Sequence, residues 1–310
     1  MPLVEVKNLS KTYGDVQAVA GISFEIQEGE IFGLLGPNGA GKSTTINVLC
    51  TYTEPTGGEV SVAGHSVTAE PTAVKRAIGV VPQEIALYPD LNALENLRFF
   101  GQMYDIPEAR LKMRSAELLE MVGLSEQARR RVEHYSGGMK RRLNLAVGLL
   151  GQPRFLMLDE PTVGVDPQSR NAIFENIQAL NRQGLTILYT THYMEEAELL
   201  CDQVAIMDQG RIIAIDTPRN LIHTLGTGLI HVGVKELDDE MLARLRALPQ
   251  VKAVTRLDDT LAFETLDAQR ALLDIIGVFN ETDTAMTALE ILEPNLESVF
   301  IQLTGRQLRD

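Results

Sequence analysis

One segment constrains this chain more than any other: Gly36-Pro37-Asn38-Gly39-Ala40-Gly41-Lys42-Ser43-Thr44, set between the apolar run Ile31–Leu35 and the helix-like Ser43–Cys50. It fits G-x-x-x-x-G-K-[ST], and the strand before it and helix after it are the context that pattern requires. Glycines let successive backbone N–H groups curl around an anion, and the following helix points its positive end at the same place. Lys42 is then expected to reach terminal phosphates, with the Ser43 hydroxyl ligating Mg²⁺.

The rest of the chain fits around that element. Leu3–Val6, Ile22–Ile26 and Val60–Val62 read as strands, several in hairpins, and Ile78–Val81 as a buried strand ending at Pro82-Gln83. From about 90 to 150 the apolar spacing turns helical, as in Leu94, Leu97 and Phe100, then Leu118, Leu119 and Val122. Phe155–Leu158, Thr186–Tyr189 and Val204–Met207 are short apolar runs separated by helical patterns, which implies a parallel α/β sheet covered on both faces. Length also argues for two domains, since 310 residues exceed one average domain. After Pro218 the expected order is strand 229–234, helix 238–248, strands 251–256 and 260–264, helix 266–278 and strand 286–291: a small α+β unit. From residue 231 onward 15 acidic face 8 basic residues, so half the net charge of -14 sits in this last quarter.

Chemistry gathers at two further places. Phe155–Leu158 ends in the adjacent carboxylates Asp159 and Glu160; next to a phosphate loop, Asp159 would hold Mg²⁺ through water and Glu160 would polarise an attacking water. Tyr135-Ser136-Gly137-Gly138-Met139 precedes a helical run, and its hydroxyl, two glycines and helix N-terminus make a second anion-binding surface.

With these motifs in this order the first 220 residues or so resemble the ATP-binding-cassette (ABC) ATPases, whose signature L-S-G-G-Q is matched at Ser136, Gly137 and Gly138, with Tyr135 and Met139 replacing the flanking residues. The resemblance implies an ATP-hydrolysing subunit using ATP and Mg²⁺. Its fold would be a phosphate-loop core, a RecA-like parallel sheet with an antiparallel β subdomain and a helical subdomain at about 90–150, over residues 1–220. An accessory α+β domain would span 228–310. It also implies roles. Tyr13 in Lys11-Thr12-Tyr13-Gly14 would stack on adenine, and Gln83 would contact Mg²⁺ or water and sense a membrane partner. Asp166 in Gly164-Val165-Asp166, where Val163 and Val165 replace the usual Ser and Leu, would lie at a dimer contact, and His192 would reach the γ-phosphate. Ser136–Gly138 would close over ATP held by a second copy of the chain. Expected partners are therefore that second copy and a separate membrane permease, at the cytoplasmic face of the membrane. The tail Leu292-Glu293-Pro294-Asn295-Leu296-Glu297-Ser298-Val299-Phe300, then Leu303-Thr304-Gly305-Arg306, is similar to drug- and antibiotic-export ATPases of the daunorubicin-resistance type. Leu296, Val299, Phe300 and Leu303 also space as one face of a terminal helix expected to pack on its own domain.

Composition narrows the classes. No stretch approaches the ~20 apolar residues of a membrane helix, and the N-terminus has no signal-peptide pattern. Cys50 and Cys201 form no CxxC pair and read as reduced core thiols, which favours a reducing compartment. With 42 acidic against 28 basic residues, general nucleic-acid binding is not expected. The run Arg129–Arg131 with Lys140–Arg142 reads as a solvated surface. The rival reading, a soluble superfamily member acting on DNA or ribosomes, lacks the coiled coils or zinc cysteines of the first and the tandem cassettes of the second.

Overall fold

In a computed structural model of the chain, describing residues 2–224, 228–234, 238–257, 259–282, 284–292 and 295–304, the phosphate-loop strand lies at the centre of a six-stranded sheet. That sheet runs β10-β9-β3-β8-β7-β6, where β3 is Ile31–Leu35, β6 Ile78–Val81, β7 Phe155–Asp159, β8 Thr186–Thr191, β9 Gln203–Asp208 and β10 Arg211–Asp216. All neighbours are parallel except β9–β10. The sequence reading passed over β10, whose alternating exposure belongs to an edge strand with one wet face.

Strand pleating sorts the core residues. Along β7, Phe155 and Met157 join one hydrophobic cluster while Leu156 and Leu158 join the other. The first cluster is closed by helix α1 (Lys42–Leu49) and by a second, antiparallel sheet β2-β1-β4-β5. Its strands are β1 (Pro2–Tyr13), β2 (Val16–Gln27), β4 (Gly57–Val62) and β5 (His65–Ser66), with α2 (Pro71–Ala77) following. Both β1 and β2 extend well beyond their apolar cores, because the hairpin tip is exposed and needs no alternation.

The opposite face is covered by helices. Those of the expected helical segment are α3 (Ala93–Met103), α4 (Glu108–Met121) and α5 (Gly137–Gly148). A reciprocal capping box fixes the start of α3: Glu95 N–H donates to Asn92 Oδ1 at 3.0 Å and Asn92 N–H to Glu95 Oε2 at 2.8 Å. Helices α6 (Pro167–Arg182), α7 (Met194–Leu200) and α8 (Pro218–Thr224) complete the layer.

The remaining strands β11 (Gly228–Val234), β12 (Val251–Leu257), β13 (Thr260–Thr265) and β14 (Met286–Leu292) form an antiparallel sheet in the order β12-β13-β11-β14. Helices α9 (Asp239–Arg246) and α10 (Ala268–Glu281) pack on one face through Met241, Leu245, Ile275 and Phe279, giving the expected split β-α-β arrangement. The last helix, α11 (Leu296–Thr304), departs from expectation. Leu296, Val299 and Phe300 are buried with Met194, Ala197 and Leu200 of α7 and Leu221 of α8, while Leu296 N–H donates to Glu198 at 2.6 Å. On its other side Gln302 donates to Glu264 of β13 at 2.8 Å. So α11 joins the C-terminal sheet to the six-stranded layer rather than packing on its own unit alone. Glu293, Pro294, Gly305 and Arg306 of the tail motif lie outside the described residues.

Candidate active site

The parallel strands β3, β7 and β8 end together, so the loops leaving them converge. The loop after β3 is held by backbone contact as much as by sequence. Gly41 has φ 106°, and a Cβ there would stand 2.6 Å from the Ala18 carbonyl, so only glycine fits. Gly36 and Ala40 are buried, Pro37 is half-buried, and Asn38 and Gly39 form the exposed rim. Lys42, Ser43 and Thr44 make the first turn of α1, with Ser43 exposed and Thr44 half-buried.

Lys42 is buried, its Nζ donating to the carbonyls of Gly36 at 2.7 Å and Pro37 at 3.1 Å. The same ammonium lies 3.1 Å from Glu160 Oε1. Glu160 Oε2 accepts from Gln83 Nε2 at 3.3 Å and lies 3.2 Å from His192 Nδ1, which is buried and lacks an aligned hydrogen bond. Thus three residues singled out from sequence meet on the carboxylate of a fourth. Burying an ion pair is an inefficient source of stability, since desolvation offsets the attraction. Glu160 further sits at φ 46°, a left-handed conformation that costs a non-glycine residue about 1–2 kcal/mol. Strain and a buried ion pair at one residue suit chemistry better than stability.

Asp159 is held next to it. Its Oδ1 accepts from Thr190 Oγ1 at 2.6 Å, while Glu160 N–H donates to Thr190 Oγ1 at 3.0 Å and to the Thr190 carbonyl at 3.2 Å. Thr190 was not anticipated; as one more β-branched residue in a strand, it carried no distinguishing signal. Arg141 is a second omission and a correction. It was grouped with a solvated basic run, yet it is buried, donates to the Pro82 carbonyl at 3.2 Å and interacts electrostatically with Asp159 and Glu160. Burial pulls its pKa down, and those two carboxylates oppose the shift. Arg142 spends its guanidinium on the carbonyls of Val122 and Gly123. Only Arg129–Arg131 keep the expected exposure.

The other candidates stand apart. Ser136 is the N-cap of α5, accepting from Met139 N–H at 3.2 Å, and Asp166 is the N-cap of α6, accepting from Ser169 N–H at 2.9 Å. That bond lowers the Asp166 pKa. The two caps face each other: Gly138 packs against Ser169 so closely that a Cβ would overlap it, and a Cβ on Gly137 would come 3.7 Å from the Gly164 carbonyl. Tyr135, in place of leucine, is buried with its hydroxyl on the Gln127 carbonyl at 2.7 Å, so the substitution is absorbed by the core. Tyr13 is exposed at the hairpin tip with Lys11 Nζ 4.8 Å above its ring. Among the described residues, no hydrogen bond or ion pair joins Ser136, Gly137, Gly138, Asp166 or Tyr13 to the Lys42–Glu160 cluster.

The thiols take no part. Cys201 is buried and Cys50 half-buried, and burial raises the pKa of both.

Comparison with known proteins places these features in a family. A family model described as ABC transporter matches residues 19–163. The linearmycin resistance ATP-binding protein LnrL of Bacillus subtilis (strain 168) is 44% identical, over 99% of this chain and 100% of its own. The doxorubicin resistance ATP-binding protein DrrA of Mycobacterium tuberculosis (strain CDC 1551 / Oshkosh) is 37% identical, over 97% of this chain and 93% of its own. Among solved structures, a dimeric post-hydrolysis state of the ATP-binding cassette MJ0796, bound to ADP and Pi, aligns with TM-score 0.64 at 29% identity, covering 69% of this chain and 98% of that one.

Proposed function

From its membership of the ABC transporter ATP-binding proteins, to which this chain belongs, we propose that it is the ATP-hydrolysing subunit of an exporter of drugs, antibiotics, lipids or other small molecules. In this reading two copies sandwich ATP and drive a separate membrane permease from its cytoplasmic face. The observation that carries it is the convergence of Lys42, Gln83 and His192 on Glu160 at 3.1–3.3 Å.

The residues divide the work. Backbone N–H groups of Gly36–Thr44 cradle the phosphates, and Lys42 neutralises their terminal charge. As phosphate oxygens take over Lys42, Glu160 is released to accept a proton from the attacking water, with His192 directed at the γ-phosphate and Gln83 at water or metal. Tyr13 stacks on adenine. Mg²⁺ suits an all-oxygen donor set. Asp159, Ser43 and Gln83 supply side-chain oxygens beside the loop, and no cluster of three His, Cys, Asp or Glu able to hold a metal by itself occurs among the described residues. Bound there, Mg²⁺ would offset charge on the β- and γ-phosphates. Ser136, Gly137 and Asp166 lie off this cluster, exposed at two helix N-termini, with Gly138 buried beneath them, which supports the use of this surface on the ATP of the second copy.

No helix among the described residues is long and apolar enough to cross a membrane; the membrane partner in this reading is a separate permease. A groove of about 770 Å³ bordered by Tyr52, Lys75, Arg76, Pro82, Met103 and Tyr104 supports a docking place for it. Tyr52 and Met103 are 83% and 68% exposed, and Pro82 leads directly into Gln83. The occupant we assign is a short permease helix with apolar side chains and a carboxylate for Lys75 or Arg76. The resistance names of the relatives favour this over action on DNA or ribosomes. The accessory role of 228–310 belongs to the same proposal.

Calorimetry and turnover test it. Lys42→Ala should abolish measurable ATP binding, whereas Glu160→Gln should keep binding and lose about 10²–10⁴-fold in hydrolysis. Unchanged binding in the first, or wild-type turnover in the second, would refute the assignment.

A further inference from the structure

Behind the site lies a second carboxylate that the family motifs leave without a role. Glu196, in the first turn of α7, is 2% exposed and has no cation within ion-pair distance among the described residues. Three hydroxyls take the place of a cation. Thr162 Oγ1 donates to both oxygens, at 2.8 and 3.1 Å; Tyr189 OH donates to Oε2 at 2.8 Å and Thr191 Oγ1 to the same oxygen at 2.9 Å. Burying a carboxylate on neutral donors alone costs free energy unless each bond is made well. Burial and the Glu196 charge hold the Tyr189 phenol well above its ordinary pKa, so it remains a donor.

What matters is where the donors sit. Thr162 follows Glu160 by two residues on the loop leaving β7. Thr191 immediately precedes His192 at the end of β8, and its Oγ1 also accepts from Tyr193 N–H at 2.9 Å, which pins the chain on both sides of His192. Thr190 and Thr191 point to opposite faces of β8, as pleating requires: one holds Asp159 and the Glu160 amide, the other holds Glu196. Across that strand end, a single carboxylate ties the Glu160 loop to the His192 loop.

We propose that Glu196 is a positioning residue for hydrolysis, fixing Glu160 and His192 relative to each other through Thr162 and Thr191 without touching ATP. This rests on the assignment of Glu160 as base. Lys42 and the loop Gly36–Thr44 receive none of these bonds, so loosening them affects turnover rather than nucleotide affinity. Displacement of a reacting group by about 1 Å can cost about 10²-fold in rate.

The experiment uses the full chain and measures ATP affinity by calorimetry together with kcat per nucleotide-binding site. Glu196→Ala is expected to lower kcat about 10- to 100-fold while ATP affinity stays within about threefold. Thr162→Val, which keeps shape and removes one donor, should reproduce part of the loss, and the double variant should be no slower than Glu196→Ala alone. If Glu196→Ala does not fold, Thr162→Val decides the matter by the same comparison. Wild-type kcat in the variants, additive losses, or equal loss of affinity and kcat would overturn the proposal. Glu160→Gln run alongside separates the two claims. An inactive Glu160→Gln with fully active Glu196 and Thr162 variants refutes positioning alone, whereas an active Glu160→Gln removes the base and the positioning role together.

Discussion

Replacing Gly138 by alanine probes the contact between the two helix N-termini. A Cβ on Gly138 would overlap both Oγ and Cβ of Ser169, while Asp166 Oδ2 would be 3.4 Å away, close but tolerable. The hydroxyl can rotate aside, but Ser169 Cβ is fixed to the backbone of α6. Restoring ordinary carbon contact, near ~3.5 Å, requires α5 and α6 to separate by on the order of 1 Å. Overpacking of this kind costs about 1–3 kcal/mol. Alanine in a helix regains roughly 0.5–1 kcal/mol over glycine, so the expected net loss is about 0–2.5 kcal/mol. The functional effect should be larger, because the displaced atoms carry the Ser136 and Asp166 caps. Urea denaturation should show the modest destabilisation, calorimetry an unchanged ATP affinity, and a hydrolysis assay a loss of roughly tenfold or more. Ser169→Gly removes both clashing atoms and should restore much of the activity. Full activity in Gly138→Ala, or no rescue by Ser169→Gly, would refute the steric argument.

Two further outcomes follow from the same packing. Phe300→Ala should destabilise the docking of α11 by about 3–5 kcal/mol and raise hydrogen exchange in α7 and α8, as Phe300 is 2% exposed against both; unchanged exchange would contradict the docking. Cys201 should resist alkylation at pH 8 in the native protein and react only on unfolding, because burial without a neighbouring cation keeps the thiol protonated; mass spectrometry of labelled peptides decides this.

The parts legible in the sequence were those where backbone geometry dictates residue type. Gly41 must be glycine because Ala18 O lies against it, and β7 reads as apolar because both its faces are buried. The β-α-β-β-α-β order was readable in part because one face of that sheet meets α9 and α10, so apolar residues recur at every second position in Ile230, Val232 and Val234 of β11 and in Leu261 and Phe263 of β13. What stayed hidden depends on partners distant in sequence. Lys140, Arg141 and Arg142 look alike as a charge run, but of the three only Arg141 is buried, donating to Pro82, 59 residues away. Glu195-Glu196 reads as acidic residues in a helix's first turn, favourable to its dipole; that Glu196 is buried depends on Thr162, 34 residues earlier. The face of α11 was visible, but the surface receiving it was not.

In the proposed head-to-tail sandwich each ATP is served by the loop of one chain and the signature of another. That arrangement is tested most directly with two singly substituted chains, Asn38→Cys and Ser136→Cys, each also carrying Glu160→Gln to retain ATP and Cys50→Ala to remove the half-buried native thiol. Both positions are exposed. When the chains are mixed and oxidised, a disulfide between unlike chains should form and increase with Mg-ATP. A doubly substituted chain should cross-link to a second copy rather than within itself. A cross-link confined to single chains, or one indifferent to ATP, would contradict the head-to-tail sandwich.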